Sequence, residues 1–167
     1  MKNNKTKDLL VRRMVSRELF MKFLYQNQLL GGSWSDLYEK LNAFLDGVED
    51  DAMEIHKESG GRELDELETY RDALLDGSYL LDMANAIENN IEEIDSYINK
   101  YARNWTVETL PNVDVSILRV AIAEIKYTAI VPGGVACDQA VILAKKYCDD
   151  NAYKYINGIL GSVIGEK

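Results

Sequence analysis

Residues 112–164 read NVDVSILRVAIAEIKYTAIVPGGVACDQAVILAKKYCDDNAYKYINGILGSVI, and the periodicity of this stretch predicts three helices with their punctuation. Asp114 is expected to cap the first, its carboxylate accepting the first free amide protons. Ile117, Leu118, Val120, Ala121, Ile122 and Ile125 leave only a narrow polar stripe of Ser116, Arg119 and Lys126, so most of that helix should be buried. Pro132-Gly133-Gly134 ends one element and turns the chain. The second helix carries Ala136, Ala140, Leu143, Ala144 and Tyr147 at three- and four-residue spacing. Asp138 lies toward its positive end, and Lys145 and Lys146 toward its negative end. The third buries Ile156, Ile159, Leu160 and Val163. Gly158 and Gly161 lie one turn apart on it, and interior glycines cost about 1 kcal/mol each relative to alanine, so a close approach to that backbone is expected.

Outward from this stretch the pattern stays helical. Leu64 to Tyr101 shows long periodicity, with Asn89-Asn90 marking a break between two helices and acidic residues enriching the first turn of the second. Trp105, Val107 and Leu110 are expected to plug the gap before Pro111. Toward the N-terminus a helical pattern starts at Ser16: Ser16, Leu19, Phe20, Phe23 and Leu24 make an apolar face, Glu18, Lys22 and Tyr25 point away, and Arg17 borders the two. Gly31-Gly32-Ser33 ends it, with Ser33 or Ser35 capping a helix through Trp34, Leu37, Leu41, Phe44 and Leu45. Residues 47–63 are acidic and lack an apolar period, and read as a loop with at most a short helical turn; His56 in it reads as solvated. No segment alternates with period two, so no sheet is predicted.

With 167 residues the chain can bury about two-thirds of its unfolded surface. Its charge is asymmetric. Residues 1–22 hold seven basic side chains (Lys2, Lys5, Lys7, Arg12, Arg13, Arg17, Lys22) against Asp8 and Glu18, giving +5 and leaving −14 on the rest of a chain whose net charge is −9. A basic arm on an acidic body suggests a local phosphate site. The acidic body does not forbid it, because charges beyond about 8 Å are screened at physiological salt. About three phosphate contacts by the arm would give a log–log salt slope near −2 for a single strand. A cationic edge beside the outward Tyr25 could also stack an unpaired base.

Catalysis and metal binding have little to stand on. One histidine in an acidic stretch gives no Ser–His or Cys–His arrangement, no phosphate-cradling glycine motif follows a strand, and the Glu-x-x-His pairs of di-iron bundles are missing. Cys137 and Cys148 would lie about 16 Å apart on one helix, beyond disulfide reach, and read as small core residues. No cofactor or metal is implied. The N-terminus has no hydrophobic signal core and no run is apolar enough to span a bilayer, so no membrane association and a cytoplasmic location are expected.

Val113-Asp114, Ile117-Leu118-Arg119 and Ala123-Glu124-Ile125, then Val131-Pro132, Asp138-Gln139-Ala140 and Leu143 to Tyr147, then Lys154 to Leu160, resemble in order the motifs of the NusB family of transcription antitermination factors. Arg17-Glu18 with Leu24-Tyr25-Gln26 is similar to that family's opening motif. The resemblance implies a single domain over 1–167: an all-α fold of about seven helices in two packed subdomains, about 8–63 and about 64–167. It implies binding of boxA-type single-stranded RNA together with the ribosomal small-subunit protein NusE. The complex then modifies RNA polymerase to resist termination, notably in ribosomal RNA synthesis. By matching position it implies RNA contacts at Arg17 and Tyr25 and at Tyr155 with Lys154 beside it. To these the arginine pair Arg12-Arg13, Lys22 and Asn151 are added as RNA-binding candidates. The arginine pair lies one residue further upstream than is usual. Asn151 stands where Asp is frequent and Ala152 where Ser is frequent, with Asn151 or Asp150 expected to cap the last helix instead. An exposed arginine helix also leaves room for a homodimer. Two other readings fit the same motifs: a helical adapter that binds a basic protein and not RNA, and the accessory domain of a ribosomal RNA cytosine methyltransferase, which would need a catalytic domain beyond Lys167.

Overall fold

No glycine or proline interrupts residues 2–30, and in the computed structural model the first helix, α1, runs unbroken over Lys2–Leu29. The structure describes residues 2–166, with side chains from Asn4 onward; the side chain of Lys2 falls outside them. The helical start expected at Ser16 is therefore too late: the basic arm is itself helix, since Lys, Leu, Arg and Met all favour that state. The chain leaves α1 through Gly31 at a positive φ of 67°. The amides of Leu30 and Gly32 return to the carbonyls of Gln26 and Asn27, closing the helix as a left-handed C-terminal residue does.

Seven further helices follow, α2 (Leu37–Leu45), α3 (Glu49–Glu58), α4 (Tyr70–Leu74), α5 (Gly77–Tyr101), α6 (Asn112–Tyr127), α7 (Gly133–Tyr147) and α8 (Ala152–Gly165). No strand occurs among the described residues. The predicted all-α class holds, and the break expected at Asn89-Asn90 is a kink at Asn90, whose φ of −134° departs from the helix. One continuous core runs from Val11 to Val163. The middle of α1 lies inside it on every side, so Arg17 and Glu18 are buried along with Leu19, Phe20 and Leu24.

Several local expectations are corrected. Neither Ser33 nor Ser35 caps α2: Asp36 precedes it in a left-handed conformation, φ 56°, and the Leu37 amide donates to Glu88 Oε1 at 2.9 Å. The stretch 47–63 contains the helix α3. Its three leading carboxylates complement the helix dipole, and Ala52, Ile55 and His56 are its buried face. Too few apolar positions in so short a segment hid that pattern. His56 is not solvated; its Nε2 lies 2.8 Å from the Arg62 carbonyl, and a Cβ on Gly61 would run into the ring. Helix does not persist from Leu64. It begins at Tyr70, is interrupted by extended Leu75, and restarts where Asp76 caps the Tyr79 amide at 3.0 Å.

Asp114 does not cap α6, which starts at Asn112 behind Pro111. Asp114 is buried, and burial raises its pKa despite a hydrogen bond from Cys148. Ser116 and Arg119 are likewise buried rather than an outer stripe. Arg119 donates twice to Asp95, each bond 2.9 Å, and lies 4.7 Å over the Trp34 ring. Trp105 fills no gap, being 54% exposed, whereas Leu110 is buried.

Gly158 and Gly161 need no close neighbour: a Cβ at either would meet nothing within 4 Å. Replacing Gly161 by Ala, at a position that is exposed and helical, should stabilise the fold by about 0.5–1 kcal/mol. A shift in the urea midpoint checks this, and a loss of stability would refute it.

Candidate nucleic-acid interface

The basic residues of α1 face different parts of the body. Arg12 donates through Nε and Nη2 to the Leu75 carbonyl at 3.1 and 2.9 Å, and Arg13 pairs with Asp76 at 3.3 Å. Both therefore lean on the α4–α5 junction. Arg17 turns inward: its Nε lies 2.7 Å from Glu124 Oε1, which also accepts from the Tyr79 hydroxyl at 2.5 Å. Burial alone would lower the Arg17 pKa, but Tyr79 and Glu124 more than offset it and hold the pKa above its ordinary value. Burial, first of all, drives the Tyr79 hydroxyl well upward. With a side chain 5% exposed, Arg17 faces Glu124 here rather than the surface on which a phosphate contact is expected of it, and it fastens α1 to α6.

Further along α1, Lys22 and Tyr25 belong to another surface. They line a groove of about 560 Å³ with Met21, Asp51, Val113 and Tyr147. Helix periodicity explains the separation: residues three apart share a face, whereas Arg17 and Lys22 do not. Lys22 Nζ lies 2.7 Å from Asp51 Oδ2 and 5.2 Å from the centroid of the Tyr147 ring. Burial pulls the Lys22 pKa down, but hydrogen bonding to Asp51 and Tyr147 raises it overall. Lys146 sits equally close to the same ring, 5.2 Å away, and bonds to Glu18 at 2.7 Å and Glu58 at 2.6 Å. The Tyr147 hydroxyl donates to Glu18 Oε2 at 2.7 Å, so the ring is fixed at its polar end. Tyr25 is 37% exposed.

Asn151, Lys154 and Tyr155 are exposed on the start of α8, which follows Tyr147 after a short connection. Asn151 occupies the N-cap position but makes no side-chain cap bond, so the capping expected of it is absent. Neighbouring Lys145 lies 4.8 Å over the Tyr153 ring. The α7–α8 corner thus places ammonium groups against tyrosine faces, an arrangement favoured electrostatically.

Chemically, the groove offers two tyrosine rings, the Lys22 ammonium and an apolar floor, with the Asp51 carboxylate on its wall. Such a surface can stack flat unsaturated rings and bond to their polar edges. Its local charge is near balance, so it is not a phosphate clamp. Tyr147, Lys146 and Asp51 were not singled out as site residues from sequence. The Leu143–Tyr147 motif was the available signal, but its lysines read as helix-dipole partners and Tyr147 as core. No His/Cys/Asp/Glu group able to hold a metal occurs among the described residues, and no helix of the described residues is long and apolar enough to cross a membrane.

Against known proteins, the sequence pattern of the NusB family matches residues 14–165. The transcription antitermination protein NusB of Clostridium botulinum is 36% identical over 154 residues, covering 91% of this chain and 99% of that one. The solved NusB of T. maritima has a TM-score of 0.66 at 27% identity and covers 93% of this chain and 90% of its own. A chain from the crystal structure of antitermination factors NusB and NusE in complex with dsRNA has a TM-score of 0.61 at 24% identity, over 91% of this chain and 95% of that one, and is a likeness of fold alone.

Proposed function

We propose, from the premise that this chain belongs to the NusB family, that it is a transcription antitermination factor binding boxA-type single-stranded RNA together with the ribosomal protein NusE. The complex acts on the RNA polymerase elongation machinery in the cytoplasm and promotes ribosomal RNA transcription. The protein works by binding and holds no cofactor. Its two subdomains, about 8–63 and about 64–167, act as one unit, a reading supported by the single core.

The observation that carries this reading is the groove in which Lys22 and Tyr147 are stacked beside Tyr25. An unpaired base stacks on Tyr25 beside the lysine-covered Tyr147 ring, and the strand continues over Asn151, Lys154 and Tyr155 at the start of α8. Arg12 and Arg13 reach phosphates by exchanging their present acceptors, whereas Arg17 acts as a positioning residue. Because carboxylates stand beside the groove, RNA binds weakly to the protein alone and more tightly when a basic ribosomal partner covers them. Titrating labelled boxA-type RNA with and without NusE at fixed salt tests this. Binding that NusE strengthens is expected, and no binding in either condition would overturn it.

One observation favours the adapter reading: Arg12, Arg13, Arg17 and Lys22 all have protein acceptors already. Under that reading NusE binds and RNA does not, and the same titration separates the two.

Asn151 lies beside exposed Asp149 and Asp150. Changing Asn151 to Asp adds a third carboxylate on the strand's path and should weaken RNA binding about two- to five-fold, the range of exposed charge interactions. Unchanged or tighter affinity at low salt would refute this.

A further inference from the structure

We infer that the first turns of α1, upstream of the family match, form a second RNA contact that lengthens the bound stretch beyond the boxA-type element, a reading that rests on the RNA-binding function proposed above. The match begins at residue 14, yet α1 continues without a break back to Lys2. Lys5 and Lys7 are exposed on this part. Among the described residues no ion pair involves either of them, while Arg13, Arg17, Lys22 and Lys146 are all paired. The acidic residue beside them, Asp8, is answered by Arg62 at 3.2 Å. The arm therefore carries cations that break no ion pair to meet a phosphate, next to a cleft of about 260 Å³ whose walls include Asn4, Lys7 and Arg62.

Geometry decides what these cations can reach. At 1.5 Å per residue, Lys5 stands about 30 Å along α1 from Tyr25. Screening over about 8 Å prevents the arm from acting on a base held at Tyr25. A stacked strand advances about 3.4 Å per nucleotide, so about nine further nucleotides bring phosphates to the arm. An acidic protein would satisfy the same charges, but the shared rigid helix makes the continuing strand the ligand the arm meets first. The arm thus adds little to a short RNA and gains on a longer one.

The test compares three unstructured RNAs in the presence of NusE: the element alone, and the element extended by ten nucleotides at its 5′ or its 3′ end. One extended RNA should bind more tightly than the element, with a log–log salt slope steeper by about 1.4 for two added phosphate contacts. Its advantage should shrink about seven-fold between 50 and 200 mM salt. The double variant Lys5→Gln/Lys7→Gln, which removes the charges without reversing them beside Arg12, should remove that advantage and its added salt slope while changing the element's affinity by less than about two-fold. Equal binding of all three RNAs, or equal loss on element and extended RNA in the variant, would overturn the inference. Failure of the element itself to bind would instead overturn the proposed function, and this inference with it.

Discussion

Replacing Glu124 by Ala should cost about 3–5 kcal/mol of stability, because it leaves the buried Arg17 cation without its counter-ion. Glu124 is 1% exposed and accepts from Arg17 through both oxygens, at 2.7 and 3.3 Å, as well as from Tyr79. Removing it strands a guanidinium and a hydroxyl where water does not reach. For a chain of this size the loss corresponds to a fall in melting temperature of about 6–20 °C. The double change Arg17→Met with Glu124→Leu separates isolated charge from lost packing. Apolar replacement of a whole buried pair is frequently neutral or stabilising, so this variant should be far milder than the single one. Urea unfolding of the two variants decides it: a single-variant loss below about 1 kcal/mol would mean that Arg17 finds another acceptor or is hydrated.

Tyr25→Ala should weaken binding of boxA-type RNA by about 1–3 kcal/mol, the worth of one base–aromatic stack, which is about five- to 150-fold in affinity. Tyr25 sits on the rim of its groove, so stability should fall by less than about 1 kcal/mol. Arg17→Ala makes the contrast, since it should lose RNA binding and fold together. Equal affinity of the Tyr25 variant and the parent, measured in parallel with their unfolding curves, would remove this ring from the interface. If the variant instead unfolds like the Arg17 change, the ring belongs to the core.

The helix class could be read from sequence because apolar spacing reports burial directly, as at Leu143, Ala144, Ile156 and Leu160. The kink at Asn90 was legible for the same reason, as were the glycines closing α1. What escaped depended on partners distant in sequence. Asp114 looks like a helix cap until Pro111 starts α6 earlier and Cys148 packs beside the carboxylate. Arg17 looks like a rim cation until Glu124 and Tyr79 surround it. Helix α3 was hidden because Ala52, Ile55 and a buried histidine carry its inner face, and a histidine is indistinguishable from solvent-facing polarity until the Arg62 carbonyl is found. At the site, Lys22 and Tyr25 were legible as outward residues of α1. Tyr147 was not, since only the fold brings the end of α7 beside them.

Burial of α1 also bears on how the chain is made. Its central side chains meet residues 107 positions later at Glu124, 128 later at Lys146 and 129 later at Tyr147. During translation this first helix leaves the ribosome long before the segments that enclose it. Contacts of such long range are slow to form and leave apolar surface uncovered meanwhile. A nascent chain halted before α6 would thus hold Arg17 without Glu124, and one halted before the end of α7 would hold Glu18 without Lys146 and Tyr147.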